Sequence, residues 1–254
     1  MNKKINIVDV LVDPLNEDEA LNRLIGLSDS KENGYVCFVN AHSIVTAQSN
    51  SDLRKALDSS SINCPDGISV SKLMNFLGAK SQRRVGGPDF MLRLCSVAEV
   101  SNKRIFLFGN TQSTLDKLQA KILSDYPSLN IVGSISPPFR ELSEAENNEF
   151  IKRINDSGAD FVFVSLGCPK QEIWMNHHCL KLDAISLGFG AAFDFYSGNI
   201  IRAPVWMREN GLEWLHRLIS DPRRLWKRYL VTNTLYIWFS LKQLIKIKIF
   251  GCKN

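Results

Sequence analysis

The segment Ile62-Asn63-Cys64-Pro65-Asp66-Gly67-Ile68 places an acid between a short apolar run and the start of a helical pattern. Two chemistries fit it. Asp-Gly is common turn chemistry and Asp66 would cap the helix; alternatively, a carboxylate at a strand terminus beside apolar walls can be tuned to serve as a general base. A second polar cluster, Lys170-Gln171-Glu172, follows Leu166-Gly167-Cys168-Pro169. It makes a good helix start, with Pro near the first turn and Glu172 against the dipole, and it would also be delivered to the ligand end of a sheet.

Phe106-Leu107-Phe108-Gly109-Asn110 and Leu187-Gly188-Phe189-Gly190 are strand-to-glycine turns, either ordinary tight turns or places where backbone N–H groups approach a phosphate. Neither completes GxGxxG, because Gly109 has no glycine two residues on and position 193 is Phe. The neighbours His177 and His178 face different directions on a helix and make no i, i+4 metal pair, and no Asp-x-Asp follows a strand. Nothing argues for a bound metal. Arg217, Arg224 and Arg228 are spaced to share one helical face if the helix kinks or restarts at Pro222. They form either a solvated basic face or a set of guanidinium forks suited to a diphosphate.

These residues need a frame. Short β-branched or aromatic runs at Tyr35–Val39, Arg104–Phe108, Asn130–Gly133, Phe161–Leu166 and Ala184–Phe189 alternate with amphipathic stretches. That is the pattern of βαβ units and a mainly parallel, Rossmann-like α/β sheet, with ligands expected at the carboxyl ends of the strands. Helices are expected over Glu17–Leu27, Asp52–Ser59, Ile68–Leu77, Asp89–Val100, Thr114–Asp125, Glu144–Asn155 and Gln171–Leu180. After Ser197-Gly198 the alternation stops, and a boundary near residue 200 separates an α/β catalytic domain (1–200) from a helical appendage (201–254).

Composition sharpens that division. The 254 residues carry a formal charge of +5, but residues 202–254 hold 11 Lys and Arg against 3 Asp and Glu, leaving the rest at −3. The same segment holds Trp206, Trp214, Trp226 and Trp238, four of the five tryptophans. A basic, aromatic tail points to an anionic partner, either nucleic acid or a membrane interface. Six cysteines (Cys37, Cys64, Cys95, Cys168, Cys179, Cys252) without CxxC spacing read as reduced cytosolic core residues. Asp9 and Asp13 interrupt the apolar N-terminus, so no signal peptide is expected, and no run reaches the roughly 20 apolar residues of a bilayer span.

The pieces in this order resemble the WecG/TagA/CpsF family of glycosyltransferases over nearly the whole chain. The matching residues are Asn40, Pro65-Asp66-Gly67, Arg84-Val85-Gly86-Gly87-Pro88-Asp89, Tyr126-Pro127, Gly167-Cys168-Pro169-Lys170-Gln171-Glu172 and Gly190-Ala191-Ala192-Phe193-Asp194. Gly198, Arg202-Ala203-Pro204, Gly211-Leu212-Glu213-Trp214, Arg217, Pro222 and Arg224 continue the match. The resemblance implies a metal-independent, inverting enzyme that moves a sugar such as N-acetylmannosamine or its uronic acid. The donor would be a UDP-sugar and the acceptor a polyprenyl-diphosphate-linked sugar, at the inner face of the cell membrane, during surface polysaccharide synthesis. It makes Asp66 the general base. Asn40, Arg84 and Gln171 line the pocket, Asp194 lies near the nucleotide, and Arg217, Arg224 and Arg228 close over it. With Gly87, Asp89, Gly109, Glu172 and Arg202 these complete the expected substrate-binding set, and a homo-oligomer is compatible. Phe38 stands where some members have Thr, removing a hydrogen bond there. A Rossmann-type oxidoreductase and a nucleic-acid-binding module are the competing readings.

Overall fold

The structure is a computed structural model that describes residues 3–250; Cys252 lies outside them. Its strands are β1 (Ile5–Ile7), β2 (Val10–Val12), β3 (Tyr35–Val39), β4 (Ile62–Pro65), β5 (Arg104–Gly109), β6 (Asn130–Ile135), β7 (Phe161–Ser165) and β8 (Ile185–Gly188). Helices α1 (Glu17–Asp29), α2 (Ala41–Ala47), α3 (Ser51–Asp58), α4 (Ile68–Phe76), α5 (Gly87–Val100), α6 (Gln112–Asp125), α7 (Glu144–Asp156), α8 (Lys170–His178) and α9 (Ala192–Tyr196) accompany the strands. Three more follow them, α10 (Val205–Glu209), α11 (Glu213–Ser220) and α12 (Pro222–Phe250).

Six strands form one parallel sheet in the order β4-β3-β8-β7-β5-β6, and β1 pairs antiparallel with β2. Parallel strands are covered on both faces, which explains why β3, β4, β7 and β8 are buried along their whole length. Alternation still divides the two faces. Tyr35, Cys37, Val39, Phe106, Phe108, Val162 and Val164 enter a core shared with the β1–β2 hairpin, Trp174 and Met175 of α8, and Tyr236 of α12. Val36, Phe38, Ile105, Leu107, Phe161 and Phe163 enter the opposite core with residues of α1, α5 and α6.

All five expected strands form, within a residue or two at their ends. The sequence pattern passed over the β1–β2 hairpin, whose turn residues Val8 and Asp9 sit at φ 49° and 60° without the Asn-Gly or Asp-Gly that usually marks such a turn. Two glutamines hold it instead. Gln48 donates to the Val8 carbonyl, and Gln243 of α12 accepts the Val8 N–H and donates to the Asn6 carbonyl. The run 62–65 is a true strand, and its Pro65 is tolerated because β4 is a sheet edge. At Pro222 the helix restarts, after the Asp221 N–H caps back to the Arg217 carbonyl.

Candidate active site

Every strand of the large sheet ends at the same edge, so the segments after β3, β4, β5, β7 and β8 converge there. Asp66 is the first residue beyond β4. Its N–H donates to the Val39 carbonyl at the tip of β3 (2.8 Å), and the Pro65 carbonyl accepts from Val85, fixing the carboxylate beside the start of α5. Gly67 caps α4 at φ 102° without any side-chain hydrogen bond, so the helix-cap role considered for Asp66 is not the one it plays. Burial pushes the Asp66 carboxyl up to about 7; Arg84 and Arg202 pull against that rise, and Glu213 and Asp89 add to it. No side chain among the described residues hydrogen-bonds it. A part-exposed acid poised near neutrality at the carboxyl end of a parallel sheet is what a general base requires.

A charge network stands beside it. Arg84 donates to Asp89 (2.9 Å) and to Glu213 of α11 (2.8 Å). Arg202 grips Asp89 with both terminal nitrogens (2.7 and 2.6 Å), and Arg208 of α10 adds a third guanidinium (3.1 Å). Burial alone would raise the Asp89 carboxyl, but the Arg202 hydrogen bonds and the fields of Arg202, Arg84 and Arg208 hold it below its ordinary value. Asp89 and Glu213 are thus the anchors that bring three arginines together, and Asp89 is spent on them rather than open to a ligand. Arg208 and Glu213 were not singled out from sequence. The only signal for Glu213 was its place in Gly211-Leu212-Glu213-Trp214.

At the tip of β3, Asn40 caps α2 through its Oδ1, which accepts from the His42 and Ser43 N–H groups (3.0 and 3.1 Å). Its Nδ2 has no partner among the described residues, and the side chain is partly exposed. His42 follows, its imidazole held down to about 4 by burial and the nearby Arg228, and hence neutral at pH 7. Arg228 is crowded yet keeps an accessible side chain. Desolvation lowers its pKa, and repulsion from Arg217 and Arg224 adds to the effect, so the three arginines expected on one face do gather. Arg228 stands near His42 and Cys168, which follow β3 and β7, while Arg84 and Arg202 are the cations that act on Asp66. Arg217 also stacks over Phe195, and Arg224 pairs with Asp221.

The other expected residues build walls. The Gln171 amide donates to the Gly188 carbonyl and to Glu172, and accepts the Gly167 N–H, so this buried side chain is saturated inside the protein. Glu172 is buried behind it with its carboxyl pKa raised by desolvation. Gly188 and Gly190 give the Gln171 amide its room, since a Cβ at Gly188 would lie 2.9 Å from Nε2. Gly109 serves close packing: at φ 115° its Cβ would sit 2.3 Å from the Ser165 carbonyl oxygen, and the next N–H, of Asn110, is bonded to that same carbonyl. These glycines are therefore packing devices and present no free phosphate cradle. Asp194 accepts from the Asn110 amide (3.2 Å) at the β5 end. Gly87 packs on Phe38, which stacks on Phe189 and lies edge-on to Phe90.

Residues 5–249 match the model of the glycosyl transferase WecG/TagA/CpsF family. The chain belongs to that family. This member is also 36% identical over 203 residues to N-acetylglucosaminyldiphosphoundecaprenol N-acetyl-beta-D-mannosaminyltransferase of Bacillus subtilis (strain 168), covering 80% of the present chain and 77% of the relative. It is accordingly a sugar-transferring enzyme, and the oxidoreductase and nucleic-acid readings find no support. Of the WecG/TagA/CpsF motif residues, Asp66, Arg84, Asp89, Arg202 and Glu213 come together at the β4 end, Asn40 stands at the β3 end, and Arg217 and Arg224 act on Arg228.

Proposed function

We propose that the enzyme transfers an N-acetylmannosaminyl or related hexosyl group from a UDP-sugar to a polyprenyl-diphosphate-linked sugar, with inversion and Asp66 as general base. The carrying observation is the position of Asp66 at the carboxyl end of β4, tied to the tip of β3, with its carboxyl raised by burial and under the fields of Arg84 and Arg202. The B. subtilis relative is named for an acceptor of this kind. β4 and β3 are neighbours at the edge of the sheet, so Asp66 after β4 and Asn40 after β3 stand at adjacent strand ends.

In this scheme the diphosphate lies under Arg217, Arg224 and Arg228, whose fixed charges stabilise the negative charge that develops on UDP, the task a divalent ion performs in other transferases. Asn40 Nδ2 donates to the donor. Asp66 takes the proton of the acceptor hydroxyl as its oxygen attacks the anomeric carbon from the face opposite the departing UDP; one C–O bond forms while the other breaks. The segment from Arg202 onward acts as an appendage to an α/β body ending near residue 200, and the enzyme works peripherally on the cytoplasmic face of the membrane.

Asp66→Asn should lower transfer by on the order of 10²–10⁴ while UDP binding, read by thermal shift, stays nearly unchanged. Full turnover in this variant removes Asp66 from the mechanism. Transfer by the wild-type enzyme should persist in EDTA, and a strict requirement for added Mg²⁺ would overturn the assignment of charge stabilisation to the arginines.

A further inference from the structure

A cavity of about 470 Å³ has Arg84 and Asp89, the ion pair beside Asp66, in its lining. Ile68, Ser71, Lys72 and Asn75 line it at i, i+3, i+4 and i+7, so one whole face of α4 forms its floor, and Val205 and Arg208 of α10 form the opposite wall. The lining carries four cations, Lys72, Arg83, Arg84 and Arg208, against Asp89 and Glu209. Arg84 and Arg208 are committed to Asp89, whereas Lys72 and Arg83 have no ion pair or side-chain hydrogen bond among the described residues. The rim is held in place: the Asn75 amide donates to the Gln82 carbonyl (3.0 Å), the Gln82 N–H donates back (2.7 Å), and the Gln82 amide reaches the Leu15 carbonyl (2.7 Å).

We infer that this cavity is the acceptor's diphosphate site, with Lys72 and Arg83 as the phosphate-binding cations and the Ile68 and Val205 side chains receiving the first isoprenoid unit. The inference rests on the transferase reading and deepens it. Asp66 lies two residues before α4 and Lys72 on its second turn, and Arg84, whose field acts on Asp66, also lines the cavity, so cavity and carboxylate adjoin at Arg84. An acceptor whose diphosphate sits at Lys72 presents its sugar past Arg84 towards Asp66. Two unpaired cations with the apolar side chains of Ile68 and Val205 beside them match an isoprenoid diphosphate better than a nucleotide, which would bring a base and ribose to be recognised. The donor's own diphosphate is taken by different arginines.

Farnesyl diphosphate serves as the probe, titrated against the full-length protein with farnesol and UDP as separate arms. Wild-type enzyme should bind farnesyl diphosphate without competition from UDP, and Lys72→Ala/Arg83→Ala should weaken that binding tenfold or more while UDP binding holds. Equal binding by the double variant, equal binding of farnesol, or displacement by UDP would each overturn the site. With transfer as readout, the double variant should raise KM for a lipid-diphosphate acceptor and leave KM for UDP-sugar as it was. Absence of transfer by wild type with any UDP-sugar would count against the transferase chemistry itself, a result the farnesyl diphosphate titration does not share.

Discussion

Asp66 sits in a field whose components can be changed one at a time. Arg84 lowers its pKa and Glu213 raises it, and Glu213 also occupies one end of the Arg84 guanidinium. Removing the cation must make the proton harder to lose; removing the anion must make it easier, and leaves Arg84 freer to act on Asp66. The acidic limb of the transfer profile, centred near the Asp66 value of about 7, should move to higher pH in Arg84→Ala and to lower pH in Glu213→Gln. Movement of both limbs in one direction in a kcat/KM profile would show that the field at Asp66 is not what sets the limb. The stability consequence has its own sign. A carboxyl raised from its ordinary value stabilises the fold at low pH and loses that contribution as pH rises through about 7. Asp66→Asn should therefore gain Tm relative to wild type at pH 8 and less, or nothing, at pH 5. Sequence could single out Asp66, but not this field, because Arg202 and Glu213 lie over a hundred residues away and only the packing of α10 and α11 brings them near.

At the scale of elements, the strands were the legible part because a buried parallel strand is a short continuous apolar run with few alternatives. What the pattern hid were features made by distant partners. The β1–β2 turn depends on Gln48 and Gln243, and the glycines after β5 and β8 are required by the Ser165 carbonyl and the Gln171 amide. Helix α12 is the largest such case. Its sequence suggested a surface element, yet Leu225, Thr232 and Tyr236 are buried against the body, Tyr236 donates to the Ser69 carbonyl (3.2 Å), and Thr232 meets His42. Ser69 lies on the first turn of α4, three residues past Asp66, so α12 braces the helix that begins two residues after the base and carries the Lys72 face. Tyr236→Phe should cost about 1 kcal/mol through the lost hydrogen bond, and Tyr236→Ala about 3–5 kcal/mol through the cavity it leaves. Urea midpoints read this directly. A Tyr236→Ala midpoint equal to wild type would mean that α12 does not share the body's cooperative unfolding.

For the whole molecule, the division of charge between a −3 portion and a +8 segment takes a definite geometric form. The face of α12 turned from the body exposes Trp226, Leu230, Ile237, Trp238, Leu241, Ile245 and Ile249, and the neighbouring α10 and α11 expose Val205, Trp206 and Ile219. Residues 222–250 contain seven Lys or Arg and no Asp or Glu. No helix among the described residues is long and apolar enough to cross a membrane. Apolar and aromatic side chains of this extent among cations suit an anionic lipid interface, where each nearby Lys or Arg contributes about 1 kcal/mol. Val205 belongs both to the lining of the proposed acceptor cavity and to these exposed apolar side chains. An acceptor held in the bilayer would then reach Asp66 without leaving its membrane. Trp226→Ser/Trp238→Ser should release the protein from phosphatidylglycerol vesicles and lower transfer to vesicle-borne acceptor. Transfer to a short, water-soluble acceptor should stay intact, because both tryptophans are exposed and lie outside the cavity lining and the Asp89 charge network. Equal vesicle sedimentation of variant and wild type would remove this face from membrane docking, and loss of both transfer activities together would place the two tryptophans in the architecture of the active site instead.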